Sequence, residues 1–253
     1  DAVEIRVDEC DSCSPIAVLR TLAAFRRAVD TAHFDLPIIF TARSSRQGGA
    51  FAGAAPGDGD DAVAFEERLF AFARLALRSG CEFVDVECCW AGRARNAFLA
   101  LMRRRQCYHT HAIGTVVAAS SSSGAALDAL FAQGACVAAP DAAIEAGDSA
   151  DLSSWGAQTC AARVVAPAAA DGDAEAMLRA VASAQAALAP LEISGYCSGE
   201  RGTLSRQLSP ALAPVELSGA LAPSSIQSAR ESEGKLHPCR FHLFGSPIGA
   251  SPS

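Results

Sequence analysis

A chain of 253 residues, half of them hydrophobic, can bury one large α/β core or two small ones. Its formal net charge of -7 argues against direct binding to a nucleic-acid backbone, and no apolar run reaches the ~18 residues needed to span a bilayer. Ten cysteines include one C-x-x-C, Cys10 and Cys13, with no second ligand pair to complete a zinc site. They read as small reduced core residues of an intracellular protein, cytoplasmic or nuclear.

Asp1 to Asp8 alternates, with Val3, Ile5 and Val7 on one face and Glu4, Arg6 and Asp8 on the other. That is the period of a strand, and in a barrel strand the second face lines the interior. Pro15 to Val29 has apolar residues at helical spacing behind a first-turn proline. Leu36 to Arg43, LPIIFTAR, is a short apolar run ending in a charge, as in a parallel strand that delivers a ligand contact at its C-terminal end. A Gly-rich loop follows, and then an amphipathic helix over Ala62–Ser79, with Phe65, Leu69, Phe72, Leu75 and Ala76 on one stripe and Gly80 as its stop.

Glu82 to Cys88 is the third strand, with Asp85 and Glu87 near its end, and Ala91 to Gln106 a basic helix. Thr115 to Ala119 is the fourth strand, running into Ser120–Ser123, and Gly124 to Gly134 is a helix. Cys160 to Ala166 is the fifth strand with Arg163 in its middle, and Ala174 to Ala189 the next helix. Pro190 to Ser194 is the sixth strand, leading into a polar loop, Gly195–Arg206; Pro214 to Leu217 is a short seventh. Strands alternating with helices at this spacing predict a parallel sheet. Candidate polar residues on several different strands favour an α/β fold of the (β/α)8 TIM-barrel type lacking one unit, over an open doubly wound sheet. No glycine-rich nucleotide motif follows any strand, so no cofactor is expected.

These segments resemble type I 3-dehydroquinate dehydratase, from Asp1 to about Ser228. The resemblance makes VEIRVD the second barrel strand, with the first absent, and implies that Glu4, Arg6, Arg43, Glu87, Ser205 and Arg206 are ligand contacts. Gly199 and Gly202 match the glycines of the loop before the last pair. Residues 229–239 read as a linker, and RFHLFGSPIGASPS, Arg240–Ser253, resembles the opening of a shikimate dehydrogenase domain.

The departures from the family concern its chemistry. The family uses a strand lysine to form an imine and a histidine to move protons; the matching positions here are Arg163 and Ser121. The chain's single lysine, Lys235, falls in the linker, and the family's closing glutamine loop reads Ala222, Pro223, Ser224, Ser225. Arginine offers no nucleophilic amine, and serine does not titrate near neutrality. No catalytic residue is therefore expected, and Arg163 joins the ligand-binding set. The combination resembles the fungal quinate repressor family. It implies a pseudoenzyme domain that senses a quinate-, 3-dehydroquinate- or shikimate-like carboxylate and restrains a transcriptional activator by protein contact, without touching DNA or membrane and with a homodimer as one form. The alternative is an active or altered 3-dehydroquinate dehydratase domain of a multifunctional shikimate-pathway enzyme. A third reading keeps the arginine–carboxylate pairs as a purely structural remnant.

Overall fold

The computed structural model describes residues 2–10, 14–31, 36–52, 60–90, 92–102, 110–120, 124–138, 159–189, 191–209, 213–215 and 240–245. Strands and helices alternate as β1 (Ala2–Arg6), α1 (Pro15–Thr31), β2 (Ile38–Thr41), α2 (Asp60–Arg78), β3 (Phe83–Glu87), α3 (Arg93–Met102), β4 (His111–Val117) and α4 (Ala125–Ala138). They continue as β5 (Thr159–Pro167), α5 (Asp173–Ala187), β6 (Glu192–Ser198), α6 (Thr203–Leu208), β7 (Ala213–Val215) and β8 (Arg240–Gly245). Strands β1 to β6 pair in sequence order, all parallel, as a truncated barrel of the expected class.

Period-two patterning sorts the strand side chains into two cores. Val3, Ile5, Ile38, Phe40, Val84, Val86, Ala162, Val164 and Ile193 face outward and join one cluster with the helix stripes. In it, α1 contributes Val18 and Leu22, α2 Phe65, Leu69, Phe72 and Ala76, α4 Leu127 and Phe131, and α5 Met177 and Val181. The opposite faces meet inside the sheet, where Ala2, Ile39, Ile113 and Ala161 form a small apolar plug with Phe83 against it. Glu4, Asp85, Glu87 and Arg163 sit on this inner face.

The helix ends follow local rules. Ser14 accepts the Ala17 N–H at 3.2 Å before Pro15 opens α1. Gly80 takes φ +66 after α2, and the Cys81 N–H returns to the Ala76 carbonyl at 3.1 Å, which closes the helix as its glycine predicts. Among the described residues no helix is long and apolar enough to cross a membrane.

Two strands differ from their expected bounds. β4 begins at His111, not Thr115, because its first residues pair with β3 from Phe83 onward even though His111 and Gly114 have weak strand propensity. β6 runs on through Gly195–Ser198, the start of the expected loop, because those residues continue the ladder with Val164–Pro167. Gly195 allows this closeness: a Cβ there would lie 2.6 Å from Val181 and 2.7 Å from Phe131. Ser205 and Arg206 accordingly sit on a short helix, α6, and not in a loop.

Arg240–Gly245, which the resemblance assigns to the opening of a following domain, pairs antiparallel with β1, with Ala2 opposite Phe244 and Arg6 opposite Arg240. It takes the side of β1 opposite β2 and pairs backbone groups that an open edge would leave bare. β7 adds antiparallel to β8. The cysteines also divide. Cys81, Cys88 and Cys197 are buried thiols, as expected; Cys10 instead is disulfide-bonded.

Candidate functional site

Arg163 lies at the middle of β5 and is fully buried, the largest such side chain described. Its strand neighbours Ala162 and Val164 face the helices, so the alternation turns its guanidinium into the barrel. There it donates to Glu4 Oε1 at 2.9 Å, to Asp85 Oδ2, and through Nε to Thr115 Oγ1 at 3.2 Å. Glu4 also accepts the Thr41 hydroxyl at 2.6 Å, and Asp85 Oδ2 accepts Arg43 at 2.6 Å. Three strands, β1, β3 and β5, and Arg43 just beyond the end of β2 thus bring two arginines and two carboxylates into one buried network.

The electrostatics follow from that pairing. Burial opposes ionisation of Glu4, but Arg163 and then Arg43 outweigh it and hold the carboxyl down at about 2. Burial likewise opposes the Arg163 charge, yet Glu4 and Asp85 raise its pKa further. A carboxyl depressed from 4.5 to about 2 stabilises the fold above the higher value and loses that contribution as pH falls through the lower. Urea unfolding of the wild type and Glu4→Gln should therefore differ by roughly 3 kcal/mol near neutrality and converge as pH approaches 2.

At the C-terminal end of the strands, each remaining candidate has its own partner. Arg6 forks onto Asp8 at 2.9 and 2.7 Å and reaches Glu9 at 3.0 Å. Glu87 accepts the Ser44 N–H at 2.6 Å, the Ser44 hydroxyl at 2.7 Å and the Trp90 indole N–H at 2.6 Å. Burial raises its pKa, and these three donors only partly offset that. The Ser205 hydroxyl is internal to its turn, donating to the Gly202 carbonyl at 2.7 Å and accepting the Cys197 N–H at 2.8 Å. Arg206 donates to the carbonyls of Cys197 and Gly199 at 2.9 and 2.8 Å and to Thr203 Oγ1 at 3.1 Å.

The fold therefore joins Glu4, Arg43 and Arg163 directly and leaves Arg6, Glu87, Ser205 and Arg206 in separate local clusters. Ser121, Ser224, Ser225 and Lys235 lie outside the described residues. The central partner is Asp85, which the sequence reading placed near the end of the third strand but left out of the ligand contacts. Its signal was present, since it precedes Glu87 by two and so shares its face. Gln47 was also missed: its amide clamps the end of β4, accepting the Val117 N–H at 2.5 Å and donating to the Val117 carbonyl at 3.4 Å. Tyr196, half-buried on β6, is in electrostatic reach of the same ions; burial raises its pKa and Arg163 opposes the rise. Among the described residues no three His, Cys, Asp or Glu side chains group as metal ligands.

Solved structures with the same fold are dehydroquinate dehydratases. The dehydroquinate dehydratase and shikimate dehydrogenase chain from S. pombe AroM superposes with a TM-score of 0.60 at 23% identity over 94% of this chain. This chain spans 37% of that one. The type I enzyme from Clostridium difficile gives 0.58 at 14% identity, covering 81% of this chain and 68% of its own. The Enterococcus faecalis enzyme gives 0.56 at 16%, covering 93% and 83%. The sequence model of type I 3-dehydroquinase matches residues 1–133, more than half of the 253, and the chain belongs to that family.

Proposed function

We propose that this is a non-catalytic dehydroquinase-like domain of a regulator of the quinate-repressor type, which restrains a transcriptional activator by protein contact and answers to a quinate-pathway carboxylate. One observation carries the non-catalytic part: at the mid-strand position where the family needs an amine stands a buried arginine, ion-paired to Glu4 and Asp85. A guanidinium so held stays protonated and cannot add to a ketone. Its bulk and its two carboxylate partners occupy the interior that a substrate ring would enter.

The carboxylate response has narrower support. Arg6, Arg43 and Arg206 are each engaged by protein acceptors, while Arg43 Nε is buried with no hydrogen-bond partner and is the donor left for a ligand carboxylate. The competing reading, an altered dehydratase, draws on Glu87, whose raised pKa suits a general base. Incubation with 3-dehydroquinate separates the readings. No ultraviolet-absorbing enone should form, and borohydride should trap no covalent adduct. Turnover or a trapped adduct would overturn the non-catalytic reading. Calorimetric titration with quinate and 3-dehydroquinate should give saturable heat without continuing turnover; no heat with either removes the ligand response and leaves protein contact alone.

A further inference from the structure

Three buried side chains around Arg163 each keep one polar atom without a hydrogen-bond partner: Arg43 Nε, Asp85 Oδ1 and Ser194 Oγ. Arg43 is 7% exposed, Asp85 6% and Ser194 0%. Two of these atoms belong to one ion pair. Arg43 meets Asp85 Oδ2 through Nη2 at 2.6 Å, where a forked pair would also join Nε to Oδ1. A donor and an acceptor are thus left beside a single contact. Ser194 stands opposite Arg163 in the β5–β6 register. Its neighbours Ile193 and Gly195 pack toward the helices, which turns its hydroxyl to the inner face. Tyr196, two residues on along that face, is only half-buried, and Arg43 lies beyond the end of β2. The cluster is therefore approached from the C-terminal ends of the strands.

A buried polar atom left unpaired is costly, and a ligand that pairs it recovers that cost. We infer that these atoms form a subsite for a carboxylate carrying a hydroxyl on the adjacent carbon. Arg43 Nε only donates, the ion-paired Asp85 oxygen accepts, and the Ser194 hydroxyl can do both. A carboxylate oxygen suits Arg43 Nε, but alone it would face Asp85 Oδ1 with no proton between them, and like charges repel. A hydroxyl one carbon away supplies that proton: it donates to Asp85 and accepts from Ser194. The existing pairs of Arg43 and Arg163 stay intact. Only the carboxylate and its neighbouring hydroxyl enter the cluster; the rest of the ligand stays toward the strand ends, clear of Arg163. An acid without the hydroxyl leaves Asp85 Oδ1 and Ser194 Oγ as unpaired as before, and sites built to bond a hydroxyl discriminate strongly against such analogues. The subsite is that of the carboxylate response proposed above and rests on it.

Calorimetric titration of the purified protein tests it with quinate, which bears that hydroxyl, against shikimate, whose carboxyl-bearing carbon is part of a double bond and has none. Quinate should bind about tenfold tighter or more. Ser194→Ala should narrow the ratio to roughly threefold or less by weakening quinate. Its urea midpoint should stay level or rise, because the change removes an unpaired buried hydroxyl. Arg43→Lys keeps a cation for Asp85 but has no rigid second donor, and should weaken both acids alike. Equal or weaker binding of quinate, a ratio that Ser194→Ala leaves unchanged, or a lowered midpoint in that variant would each overturn the hydroxyl subsite while the ligand response stands. No heat with either acid would overturn both. The enone and borohydride assays are independent of these results.

Discussion

Replacing Arg163 by alanine should destabilise the domain by about 3–5 kcal/mol, measured as a shift in urea midpoint at constant slope. The loss is large because the change strands two carboxylates. Glu4 and Asp85 lie in the protein interior and receive Arg163 on separate oxygens, so removing the cation leaves negative charge without water to replace it. Arg43 still reaches Asp85, which limits the damage on that side. Arg163→Lys should cost less, since an ammonium keeps the charge but cannot serve Glu4, Asp85 and Thr115 with one rigid fork. A triple change, Glu4→Leu, Asp85→Leu and Arg163→Met, should cost far less than the sum of its parts, because a buried ion network replaced whole removes its desolvation penalty too. If Arg163→Ala lost under 1 kcal/mol, the network would not be the structural centre of the barrel.

Trp90→Ala should cost about 3–5 kcal/mol, the usual loss for a buried aromatic residue emptied to a cavity. Trp90 is 3% exposed, stacks on Phe65 and donates its indole N–H to Glu87. Trp90→Phe separates these roles. It keeps a ring against Phe65 and deletes the indole donor to Glu87, at an expected cost of about 1–3 kcal/mol. With that donor gone, the Glu87 carboxyl should titrate still higher than its already raised value. Native-state NMR of the Glu87 side chain across pH would report the change. Its sign in stability is opposite to that of Glu4: a raised carboxyl favours the fold while protonated and loses that contribution as pH climbs through its folded pKa. A Trp90→Phe variant with an unmoved Glu87 would show that burial alone sets this group.

Much of the architecture was legible because it rests on local periodicity. Val3, Ile5 and Val7 against Glu4 and Arg6 already separated a helix-facing side from an interior side, and the stripe from Phe65 to Ala76 is buried as its spacing predicts. Boundaries failed where tertiary pairing overrode propensity, as at His111–Gly114 and Gly195–Ser198. What the sequence offered toward the site was single residues, charges at strand ends and an arginine in the middle of the fifth strand. Their wiring was not legible. Glu4, Asp85 and Arg163 come from three strands and Arg43 from the segment after a fourth, and nothing in their spacing says which carboxylate each arginine takes.

The sequence by itself determined the alternating α/β order, the resemblance to the family and the presence of an arginine but no lysine in the fifth strand, since these depend on residue identity and short-range pattern. Only the tertiary structure decided that Arg163 is neutralised inside the barrel, that Arg6 and Arg206 are held by their own neighbours, and that Arg240–Gly245 lies against β1. Burial makes those pairings obligatory, because a charge removed from water must find a partner among whatever groups the fold brings within reach.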